Sequence, residues 1–167
     1  MIDRRAAIAG GGAALALAGC GGSKFRTYDG PEVTRLQVYK GRRRMYLFHF
    51  SEILEEYRVH LGFQAEGPKR FKGDGKTPEG FYFIDRRNPD SSFHLSLGIS
   101  YPSDEDRAFA AAHGKDPGGD IFIHGGRRRG KDRRGPDWTA GCIAVNDRQM
   151  EDVYAMVRVG TPIDIFA

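Results

Sequence analysis

A histidine and a cysteine eighteen positions apart supply the arrangement in this chain best suited to nucleophilic chemistry. His124 closes the apolar run Ile121-Phe122-Ile123 and precedes Gly125. Cys142 follows Gly141 and opens the apolar run Ile143-Ala144-Val145. The thiolate, not the thiol, is the nucleophile, and a free cysteine with a pKa of about 8.5 is ionised to only a few per cent at neutral pH. An imidazole within reach can take the proton. Both residues stand at the ends of strand-like runs, where a rigid element meets an exposed loop. Gly141 lets the backbone approach a ligand, and the amides of Gly141 and Cys142 are candidates for meeting an oxyanion. A second reading stays open on the residues alone. Cysteine is among the most buried residue types, and Cys142 would pack in an apolar strand beside an unrelated histidine. A zinc site drawn from His94, His113, His124 and Cys142 lacks any short CxxC or HxxxH spacing. No metal and no organic cofactor is expected.

Between the pair lies "GRRRGKDRRG", in which six of the nine residues from Arg127 to Gly135 are basic. Arg127 and its neighbours suit carboxylate binding, since guanidinium matches a carboxylate through two parallel bonds. A solvated charged loop is the plainer alternative. Trp138, the only tryptophan, forms either a cleft wall or a core anchor. "GDGKTPEG", Gly73 to Gly80, is not GxxxxGK[ST] and precedes no clear helix, so nucleotide chemistry is discounted. Asp74, Lys76 and Glu79 are expected to stabilise a loop there.

Elements that could position these residues are mostly strands. Val33–Tyr39 and Met45–Phe50 read as strands joined by a turn at "KGRR". Tyr57, Val59 and Leu61 alternate with Arg58 and His60, which predicts another. Gly67 to Gly80 predicts a long loop, followed by a strand at "FYFIDRR". Ser91–Pro102 reads as a strand bent at Gly98. Asp104–Gly114 predicts a helix with a terminal glycine. "IFIHG" and "GCIAV" predict short buried strands. Asn146 with Gln149 resembles a capping box ahead of the amphipathic helix "DRQMEDVYAMV", which Gly160-Thr161-Pro162 stops before a last strand. The expected fold class is mainly β with two α-helices, one domain over residues 32–167.

The first residues read differently. "MIDRR" and the 14 uncharged residues Ala6–Gly19 match a signal-peptide core and are too short to span a bilayer. Leu17-Ala18-Gly19-Cys20 resembles the lipobox of bacterial lipoproteins, which implies cleavage before Cys20 and a lipid on its thiol. An ordinary secretory signal is the alternative. Residues 1–19 are then a signal and 20–31 a lipidated cysteine with a flexible tether. Cys20 and Cys142 are the only cysteines, so a lipid on Cys20 leaves Cys142 a free thiol in an exported protein. The expected location is the periplasmic side of a membrane, the outer one preferred because Gly21 follows Cys20 where aspartate is linked to inner-membrane retention. The net charge of +4 suits an anionic partner. Nucleic acid is not favoured, because the basic residues form one loop cluster without interleaved aromatics.

"IHG" followed by "TAGC", with 17 residues between His124 and Cys142, resembles the active-site signature of bacterial L,D-transpeptidases. "GDGKTPEGFYFI" resembles the glycine-rich segment upstream in that family. "HLSLGISYP" and "DPGGDIFIHG" resemble the branch that includes enzymes acting on lipoprotein-to-peptidoglycan links. The resemblance covers residues 33–166 and implies a β-sandwich-like catalytic domain. It implies Cys142 as nucleophile on peptidoglycan stem peptides, His124 as base and then acid, Gly141 in the oxyanion hole and Thr139 in loop support. Gly125, Trp138, Tyr101 and Arg127 are implied on the substrate side, with a wall-linked lipoprotein as a further partner. For Thr139 and Tyr101, a turn hydroxyl and a half-buried strand tyrosine remain the plainer readings. The sequence departs from the family pattern at Ala140, where many members carry a polar residue, and at Ala144, where many carry arginine. That departure keeps open a hydrolytic carboxypeptidase or amidase, and a non-catalytic wall-binding lipoprotein.

Overall fold

Alternation decides the strands. In β1 (Arg35–Tyr39) Leu36 and Val38 turn inward, while Arg35 faces solvent. The same period places Met45 and Leu47 of β2 (Arg44–His49) and Ile163 and Ile165 of β8 (Pro162–Phe166) in the core. Each such side chain contributes about 1.5–3 kcal/mol on leaving water. The computed structural model describes residues 23–126 and 136–167. The expected signal segment 1–19, the expected lipid site Cys20 and the basic loop with Arg127 lie outside the described residues.

The remaining elements are β3 (Glu52–Arg58), β4 (Gly80–Asn88), β5 (Ser96–Ile99), α1 (Asp104–Ala112), β6 (Phe122–His124), β7 (Ile143–Ala144) and α2 (Asp147–Met156). The strands form one sheet in the order β3-β2-β1-β8-β4-β5-β6-β7, with β1–β8 and β6–β7 parallel and the other pairs antiparallel. The sheet curls until its two edges meet. Past β3, His60 donates to the Ala144 carbonyl at 2.9 Å and Ala144 donates back at 2.8 Å. Thr139 is stitched to the same segment, donating to Leu61 O at 3.1 Å and accepting from Phe63 N at 2.9 Å. This is the expected mainly β class with two helices. Among the described residues no helix is long and apolar enough to cross a membrane.

Both helices begin on complete capping boxes, Ser103 with Asp106 and Asn146 with Gln149. The second ends at Met156, four residues before the expected stop at Gly160. Arg87 of β4 explains this, because its guanidinium takes the carbonyls of Tyr154 and Val157 while lying 3.9 Å over the Tyr154 ring. Those carbonyls therefore need no further helical turn.

Two expectations fail for local reasons. The strand expected over Ser91–Pro102 forms only at Ser96–Ile99. Asn88 Oδ1 accepts from Asp90 N at 3.0 Å and Ser91 Oγ from Phe93 N at 3.2 Å, so side chains capture the backbone bonds a sheet would use. The expected flexible tether is docked from Ser23 onward. Lys24 Nζ donates to Pro89 O at 2.6 Å, Arg26 Nε to Glu151 Oε2 at 3.0 Å, and the Phe25 ring lies 6.3 Å from that of Tyr154.

Two ions tie down the glycine-rich loop, the half-buried Asp74 and the buried Lys40. Asp74 accepts from the amides of Arg70, Phe71 and Lys76 and from Lys69 Nζ. Burial pushes its carboxyl up, but these donors outweigh that and hold it below the usual range. Lys40, 2% exposed, donates to Gly67 O at 2.7 Å, Thr77 O at 2.9 Å and Glu79 Oε1 at 2.8 Å. Burial lowers its pKa against the opposing pull of Glu79. Lys40→Ala leaves two carbonyls and a carboxylate unpaired and is expected to cost about 3 kcal/mol in urea denaturation. A loss under about 0.5 kcal/mol, the level of an ordinary surface substitution, would show that the ammonium does not hold the loop.

Candidate active site

Parallel pairing of Ile123 with Ile143 places the ends of β6 and β7 side by side. His124 is the last residue of β6 and Cys142 immediately precedes β7. Both line one cavity of about 300 Å³, whose other walls come from Asn88, Asp90–Phe93, Ser96, Asp120 and Phe122. A second cavity of about 460 Å³ meets Cys142 from the other side, between Lys69, Lys72, Gly73, Asp116, Gly118 and Ala140.

His124 is only 3% exposed. Its ring packs against Phe93, with centroids 4.5 Å apart, and edge-on to Trp138 at 5.6 Å. Nδ1 lies 2.7 Å from the Gly125 carbonyl. A proton on Nδ1 satisfies that contact and leaves the Nε2 lone pair free to accept. Burial lowers the imidazole pKa, and the Gly125 carbonyl pulls the other way. The half-buried Cys142 thiol lies 3.6 Å from the Asp120 carbonyl. Burial pushes its pKa up and Asp120 adds to that, while the Phe122 backbone and Lys69 oppose. Both shifts favour an uncharged thiol beside an uncharged imidazole, rather than a standing ion pair.

The loop before Cys142 is shaped by Thr139. Its hydroxyl donates to Cys142 O at 2.7 Å and accepts from Gly141 N at 3.1 Å. Gly141 has φ +137, and a Cβ there would sit 2.6 Å from Lys76 O, so glycine is required. The Gly141 amide is thus engaged by Thr139, which corrects its expected place in an oxyanion hole. Among the described residues, the Cys142 amide, like that of Ala140, is taken by no protein acceptor.

Other expected site residues divide. Gly125 is buried, and a Cβ on it would meet Asp147 Oδ1 at 2.8 Å, so it orients His124 rather than touching a ligand. Trp138 meets His124 edge-on but lines a separate cavity with Phe63, Asp137, Thr139 and Ala140. Its Nε1 is buried without an acceptor among the described residues. Asp137 beside it is gripped by Arg43, Nη2 to Oδ2 at 2.7 Å. Tyr101 does not reach either cavity at Cys142, because its ring packs on Tyr82 and its hydroxyl donates to Pro117 O at 2.9 Å. His94 and His113 are spent elsewhere, on Glu151 Oε1 and the Phe109 carbonyl. Among the described residues no group of three or more His, Cys, Asp and Glu could hold a metal ion. Phe93, Asp120 and Lys69 were not expected at the site. The "GGD" turn before the "IFIHG" strand is the signal that could have marked Asp120, whose φ is +55.

A nucleophile, a buried base and a free amide around one cavity suit acyl transfer through a thioester. Comparisons with known proteins agree with that geometry. The YkuD family model, described as an L,D-transpeptidase catalytic domain, matches residues 34–165. The protein named YafK of Escherichia coli (strain K12) is 28% identical over 128 residues, covering 73% of this chain and 46% of that protein. Among solved structures, the helical cell shape determining protein Pgp2 of Campylobacter jejuni superposes with TM-score 0.62 at 26% identity, over 83% of this chain and 49% of that one. Bd1075 of Bdellovibrio bacteriovorus gives TM-score 0.59 at 25% identity, over 81% and 48%. The chain therefore spans about half the length of these relatives. An L,D-transpeptidase of Mycobacterium smegmatis, at 14% identity and TM-score 0.54 over 81% of this chain and 59% of that one, shares the fold. With a match across residues 34–165, this chain belongs to the L,D-transpeptidase catalytic domain family.

Proposed function

We propose that this protein is a cysteine-dependent L,D-transpeptidase acting on peptidoglycan stem peptides in cell wall remodelling. The observation that carries the reading is that His124 and Cys142 wall a single cavity in a chain of this family. Cys142 gives its proton to His124 Nε2 as Sγ attacks the carbonyl carbon of the third stem residue. The Cys142 amide faces the developing oxyanion. The carbon–nitrogen bond to the terminal D-alanine breaks, and His124 returns the proton to the departing amine. The resulting thioester is attacked by the amine of a second stem or of a wall-linked lipoprotein. His124 takes that amine's proton, and the departing thiolate recovers it. An uncharged resting pair makes His124 a general base acting during attack rather than a permanent counter-ion.

Water as the acceptor gives the second reading, an L,D-carboxypeptidase or amidase. Ala144 favours it. It is fully buried and bonded to His60, so it offers no side chain for holding a second stem. The lipobox-like Leu17-Ala18-Gly19-Cys20 supports a location on the periplasmic side of a membrane, the outer one preferred, with a lipid anchor on Cys20.

Mass spectrometry of products from tetrapeptide muropeptides and wall-linked lipoprotein tests this reading. Cross-linked dimers with released D-alanine are expected, and tripeptide or freed lipoprotein without cross-links would establish the hydrolase instead. Cys142→Ala is expected to lose about 10⁴-fold or more in turnover, and His124→Gln about 10²–10⁴-fold. Turnover retained by folded Cys142→Ala would sink the mechanism. The pH profile follows from burial of the base. His124 must be unprotonated to act, and its pKa lies below its ordinary value. The acid limb of kcat/KM is therefore expected below about pH 6.5, with activity falling only as pH drops through that lowered value. A limb above about pH 7 would contradict a buried neutral base.

A further inference from the structure

Lys24 and Arg26 are remote from Cys142 in sequence, yet they hold the turn that walls its cavity. Lys24 Nζ donates to Pro89 O at 2.6 Å and to His94 O at 3.4 Å, so one ammonium ties both ends of that turn. Arg26 grips α2, with Nε and Nη2 on Glu151 Oε2 at 3.0 and 2.8 Å and Nη1 on Asp152. Glu151 Oε1 meanwhile meets His94 Nε2 at 2.9 Å. His94 is thereby pinned through its carbonyl and its ring in a left-handed conformation, φ +74, which a non-glycine residue adopts only when its surroundings compel it.

Between the pinned ends lies Phe93, and its ring is the nearer of the two aromatic rings, with Trp138, that pack on His124. The turn cannot slide independently of the site. A Cβ at Gly126 would lie 2.7 Å from Phe93 Cα, so backbone packs on backbone there. Its local bonds include the turns made by Asn88 and Ser91 and the bond from Leu95 N to Phe93 O at 3.0 Å, and Ser96 is where β5 begins. A lone exposed ion pair would contribute little. Here one carboxylate is shared by a two-pronged guanidinium and an imidazole, within a network that Lys24 extends to the turn.

We propose that Lys24 and Arg26 form a latch that positions the 88–94 turn, and through Phe93 the ring of His124, for chemistry at Cys142. They are positioning residues. The proposal rests on the reading of His124 and Cys142 as the working pair. Releasing the latch lets water reach a ring whose pKa burial now lowers. The titratable groups around that ring are Cys142, Asp90 and Asp120 in the cavity and Asp147 at the head of α2.

The test is the pH dependence of Cys142 alkylation by iodoacetamide in the full chain, which needs no substrate. Wild type, Lys24→Ala/Arg26→Ala, Arg26→Lys and His124→Gln are compared, and each variant's Tm is recorded. His124→Gln identifies the limb that belongs to the imidazole. The double variant is expected to move that limb upward by on the order of half a pH unit or more, toward the ordinary histidine value, and to slow alkylation at pH 6 severalfold. Arg26→Lys should keep the wild-type limb. An unmoved limb overturns the latch, even if Tm falls, because a purely structural staple would lower Tm alone. A wild-type curve identical to that of His124→Gln overturns the catalytic pair and the latch with it. If the double variant is unfolded at the assay temperature, Lys24→Met is judged by the same criteria.

Discussion

Two backbone hydrogen bonds between His60 and Ala144 hold the site together. They join the chain beyond one edge of an eight-stranded sheet to the strand at the other edge. β7 has only two residues and β6 only three. Strands so short have little stability of their own. Once the edges meet, β7 is flanked on both sides, and residues 139–145 gain a fixed path. Everything said of Cys142 follows from that path, including the Thr139 turn, the freed amide and the cavities on either side of the sulfur.

Burial then sets the chemical state of the pair. The cavity that orders His124 and Cys142 also takes them out of water, which raises the thiol pKa and lowers the imidazole pKa. Rigidity and acidity are thus consequences of one packing arrangement. Among the described residues, three cations nearby are already committed. Lys69 bonds Asp74, Lys40 bonds Glu79 and Arg43 bonds Asp137, so each supports a loop around the site.

The sequence made legible what depends on near neighbours. Both helices carry capping pairs three residues apart, and the box at Asn146 and Gln149 forms with reciprocal bonds of 2.9 and 3.2 Å. His124 and Cys142 could be read because each joins an apolar strand to a glycine. What escaped was long-range or made by the backbone. The His60–Ala144 closure uses main-chain groups, which leave no mark in side-chain type. Lys40 looks like a turn lysine until three acceptors converge on it from residues 67–79. The docked residues 23–26 look flexible because their partners lie about 65–126 positions away. Tyr101 suggested a site wall because a motif line does not show which side of a strand faces the cavity. Gly141 suggested an oxyanion donor because the hydroxyl that captures its amide sits on Thr139, and only the turn geometry reveals the bond.

Strand order also has a bearing on how the domain comes into being. β8 is last in sequence, yet it lies fourth in the sheet, between β1 and β4. The meander of β1, β2 and β3 can pair locally, but apart from the His60–Ala144 closure at the sheet's edges it meets β4, β5 and β6 only through residues 162–166, inserted between β1 and β4. Loop closure of that length is slow and must precede most of the core. Until β8 is added, the two halves therefore share only the His60–Ala144 closure, and the middle of the sheet is open. Removing that strand would divide the sheet down its middle rather than trim its edge.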